Sequence, residues 1–233
     1  MKLSELFDIN NDTEITGLAL DSRTVKAGDM FFCIEGTQSD GHLYAGKAAE
    51  NGAAAIVISK PVEELPGVVY IKVDDVTGEL NRVCDIFNGS PSRNMTIFAV
   101  TGTNGKTTIS SIIRSLYAHH IPSGYIGTIG VEYGNVARSA SLTTPAQTEL
   151  HADLKEMYDA GIRACAIEVS SHGLTQRRTE SIDIDCAIFT NLTHEHLDYH
   201  GTMENYFEAK KILFKEMKPE GIAVLNAEDA TIT

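Results

Sequence analysis

A chain of 233 residues, 42% hydrophobic and 22% charged, has the composition of a globular protein and the length of one large or two modest domains. Its formal net charge of −13 argues against sequence-independent nucleic-acid binding, which rests on many Lys/Arg–phosphate contacts. Any polyanion it takes must be met by backbone amides, a few placed cations and a metal ion. No run approaches the roughly 18 apolar residues that span a bilayer, and "MKLSELFDIN" carries charge where a secretory signal is apolar, so a cytoplasmic chain without membrane insertion is expected.

In chain order, "MFFCIEG" reads as a strand ending in glycine, and "LYAGKAAENGA" as a helix with apolar Leu43, Ala45 and Ala49 and a stop at Gly52. "AAIVIS" and "VVYIKV" are β-branched runs of strand length, and "DDVTGELNRVCDIFN" sets Val76, Leu80, Val83, Ile86 and Phe87 at helical spacing. The turn-rich "GSPSRN" marks a seam, giving a small α/β domain over residues 1–89 and a second domain over 90–233. Cys33, Cys84, Cys165 and Cys186 all sit in apolar contexts without CxxC spacing, as small buried hydrophobes do.

After the seam, "MTIFAV" is a strand, "TGTNGK" a turn, and "TTISSIIRSLYAHH" a helix with Ile109, Ile112, Ile113 and Leu116 inward. "AQTELHADLKEMYDAG" and "MENYFEAKKILFKEM" are further helices; "ACAIEV" and "CAIFTNL" are near-continuous apolar strands of the kind buried on both faces of a parallel sheet, and "GIAVLN" is another strand. The fold class is α/β: a small amino-terminal α/β domain, then a P-loop-type doubly wound, mostly parallel sheet whose ligands sit beyond the strands' carboxyl ends.

The loop in "FAVTGTNGKTT" lies between strand and helix, the context a phosphate cradle requires, although Gly102 precedes Gly105 by only three positions. Gly102 and Gly105 let backbone N–H groups converge on anionic oxygens at the helix's positive end, Lys106 reaches the outer phosphates, and the Thr107 hydroxyl reaches Mg²⁺. Glu168 closes one neighbouring strand; His194, His196, Asp198 and His200 follow another, and groups at adjacent strand ends can meet beside the phosphates. The same His-x-His run is also that of a zinc-dependent hydrolase, a reading that leaves the phosphate loop unexplained.

Together "VTGTNGKTT", "LTTP", "EVSSHGL", "IFTNLTHEHLDYHGTMENYFEAKKILF" and the early "LDSRTVKAGDMFFCIEGTQSDG" resemble the Mur ligase family, its MurE type (UDP-N-acetylmuramoyl-tripeptide synthetases) most, from about Leu20 to the last residue. The short loop is that family's own ATP-binding variant. The resemblance implies ATP-dependent, ADP-forming addition of a diamino acid to UDP-N-acetylmuramoyl-L-alanyl-D-glutamate, through an acyl phosphate, in peptidoglycan precursor synthesis. It further implies ATP on Gly102, Thr103, Asn104, Gly105, Lys106, Thr107 and Thr108. Catalytic positions are Lys106, Glu168, His196 and Lys210; Mg²⁺ falls to Thr107, Glu168, His196 and Lys210, the last as a carbamate. The UDP-precursor falls to Leu20, Ser22, Thr37, Gln38, Ser39, Thr143, Thr144, Ser170, Gln176 and Arg178. From the residues alone, Lys210 reads as an exposed helix lysine like Lys211, and Thr143 and Thr144 equally as a helix cap.

Two departures stand out. Glu195-His196 replaces the family's usual Asp-His, and the chain stops at "VLNAEDATIT", where the resemblance implies a further carboxyl-terminal half that captures the amino acid. The expectation is therefore the amino-terminal portion of a monomeric ligase, inactive alone; the alternative is a non-catalytic precursor- or nucleotide-binding fragment. A ligase acting on folate or cyanophycin fits the "DSR…SDG" unit less well.

Overall fold

Two units, Met1–Phe87 and Asn88–Thr233, make up the computed structural model, which describes residues 1–36 and 39–229. The first runs α1 (Leu3–Leu6), β1 (Gly17–Ala19), β2 (Asp29–Phe32), a 3-10 turn (Gly41–Tyr44), α2 (Ala45–Glu50), β3 (Ala55–Ile58), β4 (Val69–Lys72) and α3 (Val76–Phe87). Its four strands pair in parallel in the order β1-β2-β3-β4. Alternation along the strands feeds two cores: Met30, Phe32, Ala55 and Val57 meet Leu3, Leu6, Leu80 and Val83 on one face, whereas Phe31, Ile56 and Ile58 meet Ala45 and Ala48 on the other.

The helix expected from Leu43 is shorter than its pattern. Leu43 stays 78% exposed in the 3-10 turn, and only Ala45 and Ala48 of the six-residue α2 are buried. The four cysteines are free and buried; burial pushes the thiols of Cys33 and Cys84 up to about 12.

The second unit continues with a 3-10 turn (Pro91–Asn94), β5 (Thr96–Thr101), α4 (Lys106–Tyr117), β6 (Ser123–Gly127), β7 (Gly130–Tyr133), β8 (Val136–Arg138), α5 (Gln147–Asp159) and β9 (Ala164–Glu168). Then come α6 (Ser171–Thr175), β10 (Cys186–Phe189), α7 (Leu197–His200), α8 (Met203–Glu216) and β11 (Ile222–Leu225). One sheet of order β11-β10-β5-β9-β6-β7-β8 results, parallel except for β7, which pairs antiparallel with both β6 and β8. The neighbours β10, β5 and β9 all point the same way, so the segments after Thr101, Glu168 and Phe189 emerge side by side.

α4 sits rotated from its expected face. Ile113 and Tyr117 pack against Phe98 and Ser110 is fully buried, while Ile112 and Leu116 are 48% and 61% exposed. At 100° per residue, Ser110, Ile113 and Tyr117 share a face from which Ile112 and Leu116 lie about a third of a turn away. Among the described residues no helix is long and apolar enough to cross a membrane.

Candidate functional site

The loop after β5 is fixed by the segment that continues β10. Thr103 N–H donates to Asn191 O at 2.8 Å, Thr193 N–H to Thr103 Oγ1 at 2.9 Å, and the Thr190 hydroxyl to Asn104 O at 2.6 Å. Asn191 Oδ1 accepts the Asn104 amide at 3.0 Å. Gly102, at φ +138°, passes so close to this segment that a Cβ would lie 2.0 Å from Thr190 Oγ1. Gly105 (φ +85°) begins α4 without a side-chain cap, leaving the first helical amides, from Lys106 onward, without intrahelical partners. They supply the partial positive charge of a helix start.

Two lysines converge here. Lys106 Nζ donates to Gly102 O and Thr103 O, both at 2.9 Å, and Lys210 Nζ donates to the same Gly102 O at 2.8 Å. The nearby negative charges acting on them are Glu195 and Glu168 on Lys106 and Glu195 on Lys210. Lys210 is 1% exposed, and its ammonium lies 4.5 Å from the centre of the Tyr206 ring. Burial, then the charge of Lys106, brings its amine down to about 7; burial also lowers Lys106, opposed by Glu195 and Glu168.

Glu168, fully buried at the end of β9, is held by neutral donors. The Tyr125 phenol donates to Oε1, the Thr128 hydroxyl donates to Oε2 at 3.0 Å, and the Thr128 amide donates to Oε1 at 3.3 Å. Burial and then Glu168 push that phenol above its ordinary range. Lys106 and Lys210 thus meet on one loop carbonyl, Thr107 follows Lys106 at the start of α4, and Glu168 ends the strand beside β5. His196 is looser: its backbone is left-handed (φ 54°), its side chain is 42% exposed, and its ring stands 5.0 Å from His172 and 6.1 Å from Tyr206. Glu195 lies 3.7 Å from His196 Nε2.

The histidine run does not assemble as a zinc-type cluster. His200 is buried on Ser171 Oγ (2.9 Å), whereas His194 and Asp198 are exposed. Among the described residues the one group of three or more carboxylate or imidazole ligands within 4.8 Å is Glu35, Asp40 and His42.

A second network joins the later precursor positions. Thr144 Oγ1 donates to Glu168 O at 3.0 Å and accepts the Ser170 amide at 2.9 Å. Arg178 donates to Thr144 O at 2.6 Å and to Gln176 Oε1 at 2.5 Å, and burial lowers its guanidinium from the ordinary value. The Thr143 hydroxyl is 3.1 Å from that of Thr128. α5 carries no side-chain cap, so the helix-cap reading of Thr143 and Thr144 is not what forms. In the first unit Leu20, Ser22 and Ser39 line a cavity of about 630 Å³ with Phe31, Tyr44 and Lys47; Thr37 and Gln38 lie outside the described residues.

The model of the Mur ligase middle domain matches residues 100–233, and that of the Mur ligase family catalytic domain residues 14–84. The chain belongs to the Mur ligase family. Among curated relatives of this Mur ligase chain is the UDP-N-acetylmuramoyl-L-alanyl-D-glutamate–2,6-diaminopimelate ligase of Geobacter sulfurreducens, 40% identical over 224 residues that cover 93% of this chain and 44% of the relative. The enzyme of the same name from Haemophilus influenzae is 42% identical over 241 residues, covering 98% and 49%. A solved structure of a ligase of that name superposes with a TM-score of 0.80 at 32% identity, covering 99% of this chain and 48% of the other. The chain spans about half the length of the curated relatives it matches.

Tyr125, Thr128, Thr190 and Asn191, which hold the loop and Glu168, went unmarked in the sequence; they depend on which strands are neighbours. Lys210 did leave a signal: it lies on the stripe Tyr206, Ala209, Lys210, Leu213, all buried, where its neighbour Lys211 does not.

Proposed function

We propose that the chain is the precursor- and nucleotide-binding part of a cytoplasmic, ATP-dependent, ADP-forming amide ligase of peptidoglycan precursor synthesis. Residues 1–89 receive the uridine diphosphate end of UDP-N-acetylmuramoyl-L-alanyl-D-glutamate, and residues 90–233 receive ATP. The observation that carries this reading is the Lys106 ammonium, held on the carbonyls of Gly102 and Thr103 beside the uncapped first amides of α4, in a chain of net charge −13. Positive charge at a helix start is the complement of a polyphosphate.

In this reading the amides of Lys106 to Thr108 and the Lys106 ammonium hold the β- and γ-phosphates. The γ-phosphoryl passes to the D-glutamyl carboxylate, giving an acyl phosphate and ADP; the diamino acid's nitrogen then attacks the acyl carbon and inorganic phosphate leaves. Thr144, Ser170, Gln176 and Arg178 orient the precursor, Arg178 offering a guanidinium to its anionic groups.

Mg²⁺ suits Glu168, a fully buried carboxylate that makes no ion pair among the described residues, with Thr107, His196 and Lys210 as further donors. When bound, such an ion offsets the charge of the transferring phosphoryl group. Lys210 contributes as a carbamate: its neutral amine adds to CO₂ with loss of a proton, and the lowered amine pKa of about 7 favours that neutral form.

Isothermal titration of the chain with UDP-N-acetylmuramoyl-L-alanyl-D-glutamate and with Mg-ATP tests the proposal. Measurable binding of the first and weaker binding of the second are expected; binding of neither overturns it. The alternative reading is a binding module without turnover. ADP and tripeptide formed on adding diaminopimelate or lysine would exclude that reading.

A further inference from the structure

Glu35, Asp40 and His42 present carboxylate and imidazole atoms within 4.8 Å of one another, the arrangement of a small cation site. The ring of His42 rules that use out, because both its nitrogens are committed. Nδ1 lies 2.6 Å from Asp40 Oδ1, and Nε2 accepts the amide of Ser59 at 3.0 Å and that of Lys60 at 3.3 Å. A nitrogen that accepts two backbone N–H groups carries no hydrogen, so the ring hydrogen is on Nδ1 and is donated to Asp40. The side chain is only 6% exposed.

These bonds join two segments that are 17 residues apart in sequence. On one side are the paired arms Ile34–Gly36 and Ser39–Gly41, closed by the Glu35–Asp40 bridge, by Gly36 N–H to Ser39 O at 2.9 Å and by Gly41 N–H to Ile34 O at 2.8 Å. A Cβ on Gly41 would lie 2.7 Å from Ile34 N, so the arms approach this closely only because the residue is glycine. On the other side is the turn that follows β3. Ile34, Gly36, Ser39 and Gly41 line the 630 Å³ cavity; His42, Ser59 and Lys60 do not.

We propose that His42 is a positioning residue for the ligand of this cavity: it latches the rim formed by the two arms to the end of β3, so that the cavity is formed before its ligand arrives. The inference rests on the reading that the uridine diphosphate end of the precursor enters here. Lys60 also ties the rim, to Glu35 at 2.9 Å and Asp40 at 3.1 Å, but as half-exposed ion pairs that contribute little. Removing the imidazole strips two backbone N–H groups of their acceptor and lets the rim move, so ordering it becomes part of the cost of binding.

Calorimetric titration with uridine 5′-diphosphate tests this, with Mg-ATP binding by the second unit as the control for folding. His42→Ala weakens uridine diphosphate binding about tenfold or more and leaves Mg-ATP binding unchanged. His42→Gln, whose amide oxygen can replace Nε2 as the acceptor, stays within about threefold of the parent, as does Lys60→Ala. Equal affinity of His42→Ala and parent, or equal losses in the Ala and Gln variants, would overturn the latch. Failure of the parent to bind uridine diphosphate would instead overturn the ligand reading of the cavity. Should His42→Ala not fold, amide exchange in the parent decides: protected Ser59 and Lys60 amides support the latch, and freely exchanging ones refute it.

Discussion

Replacing Gly102 by alanine strikes the phosphate loop where it is most constrained, and Gly105→Ala is its internal control. At Gly102 the new Cβ would lie 2.0 Å from Thr190 Oγ1 and 3.1 Å from both N and O of Asn191, on a backbone at φ +138°. The strained backbone costs on the order of 1–3 kcal/mol. Displacing the Thr190 hydroxyl from Asn104 O, which it reaches at 2.6 Å, adds about 1 kcal/mol. At Gly105 the nearest atom is 4.0 Å away, and only the left-handed backbone, about 1 kcal/mol, is charged. With roughly 2–4 °C per kcal/mol for a chain of this size, Gly102→Ala lowers the melting midpoint by about 4–16 °C and Gly105→Ala by about 2–4 °C. Circular dichroism melts with and without Mg-ATP read both effects, and the Gly102 variant should also lose the nucleotide-induced upshift. Equal midpoints for the two variants, or an undiminished upshift in Gly102→Ala, would refute the geometry of the loop.

Lys106→Ala, which removes the ammonium now held on Gly102 O and Thr103 O, is expected to weaken Mg-ATP binding at least ~30-fold by calorimetry; unchanged affinity contradicts the cradle. Tyr125→Phe takes one donor from the buried Glu168 carboxylate and should destabilise the chain by about 1.5–3 kcal/mol in urea unfolding, with a loss under 0.5 kcal/mol counting against that contact. Asp153 sits beside Arg138, yet burial outweighs that charge and raises its carboxyl from 3.8 to about 6. Between those values the folded chain holds more protons than the unfolded one, so stability falls as pH rises through this window. Asp153→Asn removes that dependence: relative to the parent it gains about 2 kcal/mol at pH 7.5 compared with pH 4.5, and an equal difference at both pH values in urea titrations refutes the assignment.

Strands whose apolar runs fill the middle of a sheet were legible in the sequence, and so were the edge strands β4 and β11 from "VVYIKV" and "GIAVLN". "MTIFAV", "ACAIEV" and "CAIFTNL" became β5, β9 and β10, buried nearly throughout because helices cover both faces. "SGYIGTIGVEYGNVAR" gave no such run; its glycines interrupt the alternation, yet it forms β6 to β8 by pairing with β9 and then turning back on itself. The short β1 and α1 fall below the length at which periodicity speaks. The helix after the loop was foreseen, but its face was not, since apolar residues lie on both Ile109–Leu116 and Ile113–Tyr117 sides and contact with Phe98 chooses between them. At the site, Lys106 and Thr107 could be read from spacing because the loop is local. The Tyr125–Glu168 bond could not, because residues 43 apart meet only once β6 lies beside β9.

Crystals of this chain grown with magnesium and a non-hydrolysable ATP analogue test the central claim most directly. The account predicts phosphate oxygens about 3 Å from the amides of Lys106 to Thr108, with Lys106 Nζ moved from the carbonyls of Gly102 and Thr103 onto the outer phosphate. Analogue bound elsewhere, with Lys106 still on those carbonyls, would contradict it.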